Sequence, residues 1–211
     1  MFRQYRQIEK GEFFVVAVDT CSGGGDFGPA QFLSKTKVDV PLVWHSDVTT
    51  SDFIPILVRT LEMIYDITGV KPVVALERQN GGAFLMDRLA AMNLLGKFIL
   101  FIMPSIGNTE PGESKRLGWD TNLATRPKML QDLQGAMNNT LIKIYDKQTL
   151  SECLSFVIVK NSSSWKAQAE KKSHDDLVMA LAIAWQMYQI CQPSVSEAKD
   201  YSKYENYKQE E

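Results

Sequence analysis

Disulfide frameworks, zinc ribbons and nucleotide loops all lack their sequence signatures in this chain. Its three cysteines, Cys21, Cys153 and Cys191, are odd in number, far apart and without a C-x-x-C pair. Neither a disulfide framework nor a zinc ribbon is supported, and a reducing, cytoplasmic setting fits best. No G-x-x-x-x-G-K-[ST] occurs, so no P-loop ATPase is encoded in these 211 residues. No apolar run approaches the ~20 residues needed to span a bilayer, and no early stretch pairs a basic n-region with an apolar h-region. A soluble protein is expected. Basic excess is missing too: the formal net charge is −2, so contacts to nucleic acid must come from local patches. What is present is 45% hydrophobic residues and no internal repeat, enough for one substantial core.

Phe13 to Val18 is a run of apolar residues that ends on Asp19 and enters the Gly-rich stretch Ser22 to Asp26. Such a run predicts a strand buried on both faces, at the centre of a parallel or mixed sheet. Gly23, Gly25 and Gly28 spell G-x-G-x-x-G, but Pro29 and a β-like run follow where a dinucleotide site needs a helix, and Asp26 would repel a pyrophosphate. Ala30 to Thr36 and Val38 to Ser46 predict two short antiparallel strands extending the first. Helix periodicity covers Phe53 to Ile67, ended by Gly69; strand Pro72 to Glu77, helix Ala83 to Leu95 and strand Phe98 to Met103 follow. That alternation predicts an α/β fold with a parallel core and an antiparallel extension, flanked by helices. Pro104 to Asp120 predicts a long loop, functional or disordered. Then come helix Arg126 to Met137, strand Leu141 to Tyr145, a short helix around Gln148 to Leu154, strand Phe156 to Lys160, a polar loop from Asn161 to Ser173, and a buried helix from Asp175 to Ile190. Residues 1–11 are expected as a leader or linker remnant, 12–191 as the domain, and 192–211 as a disordered tail.

Ligands of such sheets gather at the carboxyl ends of strands, and three sets of acids fall there: Asp19, Glu77, and Asp175 with Asp176. Asp19 and Asp26 suit turns, and Ser173 with Asp176 could form a capping box. Capping accounts for one acid, not for two successive carboxylates after His174 at the head of an apolar helix. Carboxylates without paired His or Cys select hard ions such as Mg²⁺ or Mn²⁺. Two such ions ~4 Å apart support in-line phosphodiester cleavage. Asp19 is expected to bridge, Glu77 to hold one ion, Asp176 with Asp175 the other, and His174 to shuttle a proton or steady the leaving side. Asp26 is a possible auxiliary. Trp119 and Trp165 lie in basic loops, where base stacking and ordinary packing both remain open.

Val18-Asp19 before Gly-Gly-Gly-Asp26, Leu76-Glu77-Arg78-Gln79-Asn80-Gly81, Gly118-Trp119-Asp120-Thr121 ahead of Arg126-Pro127, and Ser173-His174-Asp175-Asp176-Leu177-Val178-Met179-Ala180-Leu181 together resemble the nuclease domain of the large terminase subunit of tailed bacteriophages. The resemblance spans about Glu12 to Ile190. It implies a ribonuclease H-like mixed sheet and a two-metal endonuclease that cuts concatemeric viral DNA during packaging. It also implies an ATPase domain, a small terminase subunit and a portal as partners, in the bacterial host cytoplasm. Glu77 departs from the Asp of many relatives, a change of geometry rather than of chemistry. A junction resolvase, an RNA-strand nuclease, and a non-catalytic DNA- or portal-docking module are the alternatives.

Double-stranded DNA would be gripped through Lys115, Arg116, Lys166, Lys171 and Lys172. Replacing Lys171 and Lys172 together with Ala is expected to weaken DNA binding and reduce its salt dependence. A binding curve with an unchanged salt slope would make that loop a solvated surface only.

Overall fold

The central strand β2 (Phe14–Val18) is completely buried, and both of its flanks carry apolar layers. The computed structural model describes residues 1–21, 28–79, 81–104, 116–161, 164–169 and 175–193. Strands β1 (Phe2–Gln4), β3 (Ala30–Ser34), β4 (Asp39–Trp44), β5 (Val73–Leu76) and β6 (Ile99–Leu100) join β2 in the order β1-β4-β3-β2-β5-β6, with β7 (Lys143–Ile144) also on β4. β2 is antiparallel to β3 and parallel to β5, and β5 is parallel to β6. This mixed sheet, flanked by helices, has the ribonuclease H-like arrangement.

Alternation along β2 explains how helices cover both faces, because successive side chains point to opposite sides. Phe14, Val16 and Val18 pack with Val74 and Leu76 under α1 (Thr50–Thr68) and α2 (Gly82–Met92). Phe13, Val15 and Ala17 pack with Val73 and Ala75 under α3 (Thr125–Asn138) and α5 (Asp176–Ile190). Helix α1 starts at Thr49, whose hydroxyl accepts from the Asp52 N–H, and ends at Gly69 in the left-handed conformation (φ 72°). Helix α5 is buried from Leu177 to Met187, with the sheet on one side and α3 and α4 (Lys147–Ser155) on the other.

The polar stretch expected as a loop after Lys160 carries a strand. β9 (Ser164–Ala169) pairs antiparallel with β8 (Phe156–Asn161), forming a separate two-stranded sheet. Backbone hydrogen bonds across a hairpin need no apolar run, which is why composition hides this strand. The Phe98–Met103 strand is cut to two residues, Ile99 and Leu100. The expected tail from 194, the Gly-rich stretch at 22–27 and the loop at 105–115 lie outside the described residues. Among the described residues no helix is long and apolar enough to cross a membrane.

Residues 1–11, expected as a leader, run along the sheet. Phe2–Gln4 pairs with Leu42–Trp44 of β4. Arg6 donates to both oxygens of Asp39 and of Glu12, with all four distances between 2.7 and 2.8 Å. Glu12 and Asp39 are 2% and 3% exposed, so each depends on that guanidinium to offset its buried charge. Burial alone would raise the Glu12 carboxyl; hydrogen bonds from Arg6, Ser34 and the Glu9 N–H outweigh it and hold it low. Arg6→Ala is therefore expected to cost roughly 2–4 kcal/mol in urea unfolding, since it strands two carboxylates. A loss below about 1 kcal/mol would mean that the acids find other partners.

Candidate active site

Parallel pairing of β2 with β5 sets the first two acids side by side. Val18 is in register with Leu76, so Asp19 and Glu77 each stand one residue beyond the same rung. Both belong to the set of alternate residues that includes Ala17 and Ala75, hence to the face covered by α5. The Glu77 N–H donates to the Val18 carbonyl at 2.9 Å, which carries the pairing one residue past the strands. Asp19 is 9% exposed and Glu77 7%.

Two glycines let neighbouring chain close on Glu77. A Cβ on Gly82 would sit 1.7 Å from the Glu77 carbonyl oxygen, so the first turn of α2 can lie there only without a side chain. Gly118 has φ 87°, and its Cβ would meet the Leu76 carbonyl at 2.7 Å. This close approach lets Trp119 bridge alongside Glu77, with the Trp119 N–H on the Leu76 carbonyl and the Arg78 N–H on the Trp119 carbonyl. Trp119 is 4% exposed and packs on Phe101, so it is core and not a stacking platform for bases. Gln79 donates through Nε2 to the Thr121 carbonyl, tying the Gly118–Thr121 stretch to the turn after Glu77.

The third set of acids arrives on α5. Asp175 is its N-cap residue and Asp176 its first helical residue, where the positive end of the helix dipole favours carboxylates. Asp175 pairs with the Arg126 guanidinium at 2.8 Å. The Asp19 carboxyl is raised well above the usual range, first by burial, then by the hydrogen-bonded Glu77, then by the charges of Asp176 and Asp175. The structure thus brings Asp19, Glu77, Asp175 and Asp176 to one end of the sheet. Among the described residues they do not close into a cage of three metal-ligating side chains. Their chemistry suits a divalent ion: oxygen donors only, in a buried cluster whose burial and mutual repulsion raise the proton affinity of Asp19.

No family model and no curated protein matches the sequence. Solved structures do. The large terminase nuclease of thermophilic phage G20c with bound magnesium matches at TM-score 0.60 and 19% identity, over 87% of this chain and 84% of that one. The large terminase nuclease domain of Thermus phage P74-26 matches at 0.55 and 18%, over 89% and 84%. The manganese-soaked terminase nuclease domain of human cytomegalovirus matches at 0.54 and 12%, over 84% and 83%. The chain has the fold of a terminase nuclease domain.

Within that terminase nuclease fold, the remaining candidates divide. His174, Asp26, Lys115, Lys171 and Lys172 lie outside the described residues. Lys166 falls on β9, opposite Val159. Arg116 is exposed, with Asp120 at 3.9 Å.

One acid escaped the sequence reading. Glu152, on α4, is 7% exposed and accepts from the Leu177 N–H at 2.9 Å. Its apolar neighbours would have suggested that Leu150 and Leu154 turn inward, yet Leu154 is 86% exposed while Thr149 and Glu152 are buried. The only signal was Asp146-x-x-Thr149, a cap that sets the helix phase: the Thr149 N–H and hydroxyl both donate to Asp146. Burial pushes the Glu152 carboxyl up to about 7; the Leu177 N–H lowers it, and the Asp176 charge adds to the rise.

Glu152 binds its proton more tightly in the folded state than in the unfolded chain, so stability must fall as pH rises from about the usual 4.5 to about 7, and the raised Asp19 carboxyl acts in the same direction. Glu12, Asp132 and Asp146 are held low, so their contribution disappears only in more acidic solution. Thermal melts in EDTA are expected to show Tm falling between about pH 5 and about pH 7.5, with Glu152→Gln flattening the slope. A flat or rising wild-type profile would contradict this assignment.

Proposed function

We propose that this chain is a metal-dependent endonuclease that cuts double-stranded DNA, acting on concatemeric viral DNA during genome packaging. The observation that carries the reading is the meeting of Asp19 and Glu77, on adjacent parallel strand ends, with the Asp175-Asp176 head of α5. It is supported by the shared fold with terminase nucleases, one holding bound magnesium and another soaked in manganese. Asp19 and Glu77 with Asp176 and Asp175 would hold two Mg²⁺ or Mn²⁺ ions. When bound, such ions supply an activated water and stabilise the departing oxyanion of an in-line displacement.

The residues of the chain prepare that chemistry in three ways. Asp19, which interacts with Glu77 and with both Asp175 and Asp176, would offer its carboxylate to both sides. Arg126 holds Asp175 from the outside, keeping that carboxylate from swinging toward solvent. Lys166 on β9 and Arg116, together with Lys115, Lys171 and Lys172, would meet phosphates, which carry no sequence information, so cutting is broad in sequence and sensitive to salt. An upstream ATPase domain, a small terminase subunit and a portal complete the packaging motor in the host cytoplasm.

The test is a supercoiled plasmid incubated with Mn²⁺, Mg²⁺, Ca²⁺ or EDTA, with and without ATP. Cutting is expected with Mn²⁺ and Mg²⁺, without need of ATP. Ca²⁺ should support little turnover, because its looser coordination sphere misplaces the attacking water. Asp19→Asn should abolish cutting while the protein still melts cooperatively. Persistence of cutting in EDTA, or full activity of Asp19→Asn, would refute the two-metal reading. Parallel reactions on a four-way junction and an RNA–DNA hybrid separate the packaging nuclease from its fold relatives.

A further inference from the structure

The head of α5 is capped in an unusual way. The first N–H groups of a helix have no partner within it, and the N-cap side chain normally accepts from the second or third helical residue. Asp175 stands at the N-cap and makes no such bond. Glu152 takes its place from another helix, accepting from the Leu177 N–H at 2.9 Å, with the Val178 N–H also acting to lower its pKa. The same peptide segment is gripped from the sheet. Gln31, in register with Ala17 on β3 and 0% exposed, donates through Nε2 to the Leu177 carbonyl at 3.3 Å and to the Thr149 hydroxyl at 3.0 Å. A buried amide in a sheet interior is costly unless it is hydrogen-bonded; Nε2 of Gln31 makes these two bonds, while its Oε1 has no partner among the described residues.

We propose that Glu152 is a positioning residue for the acid pair of α5, with Gln31 bracing the other end of the same residue. Leu177 directly follows Asp176, so fixing both its N–H and its carbonyl fixes the backbone from which Asp176 projects. With Glu152 on the orphan amides, Asp175 is not needed as a cap and instead pairs with Arg126. Partners that hold ligands in this way set metal affinity without touching the ion. This inference rests on the metal-site reading above, but the clamp itself can be tested without cleavage.

The experiment compares Glu152→Ala, Glu152→Gln and Glu152→Asp in the full chain, by amide hydrogen exchange without metal and by Mn²⁺ titration in a calorimeter. Gln keeps an acceptor oxygen at the same reach; Asp keeps the charge but falls one methylene short. For Ala and Asp, exchange at Leu177 and Val178 is expected to quicken by roughly fivefold to tenfold, as when a helix cap is lost. Mn²⁺ affinity should fall on the order of tenfold to a hundredfold in both. Gln is expected to stay within about threefold of wild type on both readouts. If Ala does not fold, the contrast of Gln with Asp decides alone. Wild-type exchange and affinity in Asp, or a Gln variant as impaired as Ala, would overturn the proposal, the second outcome making the charge itself the operative feature. A wild-type protein that cuts no DNA would remove the nuclease reading and leave the exchange measurement to judge the clamp.

Discussion

Everything at the acidic end of the sheet depends on the parallel register of β2 with β5. Because side chains alternate, a slip of one residue on either strand would send one acid to the α1 and α2 face and leave the other beneath α5. The register is secured by completely buried side chains on both faces of β2, so the core that stabilises the fold also sets the spacing of the site. What it assembles is electrostatically uncomfortable. Like charges gathered in a poorly solvated corner raise the proton affinity of Asp19, and that tension is the physical preparation for a divalent ion.

Much of this was legible because the signals were local. The Phe13 to Val18 run announced a two-sided strand, and a carboxylate ending such a run has few structural uses. Pro72 to Glu77 repeated the pattern, and the apolar helix headed by Asp175 and Asp176 completed it. The legible acids are those that interrupt a strong apolar period. Glu152 was not legible, because it sits in a short helix that buries Thr149 and Glu152 while Leu154 points outward. Its meaning comes from the unpaired amides of a helix 25 residues further on. Ser173, the other half of the capping-box reading, lies outside the described residues.

The polar side of the core is organised as connected clusters. Asp146 accepts from Arg3, Tyr5 and Thr149; Thr149 accepts from Gln31; Gln31 reaches Leu177. The opening residues, which looked like a linker because they are charged, are charged in order to meet buried acids. Composition cannot separate a solvated segment from one whose charges have distant partners, since the difference lies in the partners.

Those distances have a consequence for the order in which the protein is made. Arg3 and Asp146 are 143 residues apart, Gln31 and Leu177 146, and Lys35 and the Cys191 carbonyl it binds 156. At ~5–20 residues per second, on the order of ten seconds separates the birth of each partner from the other. The β2–β3 hairpin and the β5 crossover can form while the ribosome is still working, but α5 is the last described helix to emerge. Its acids can join Asp19 and Glu77 only once α5 itself has been made. A nascent or truncated chain can therefore hold much of the sheet and still lack the complete acidic site.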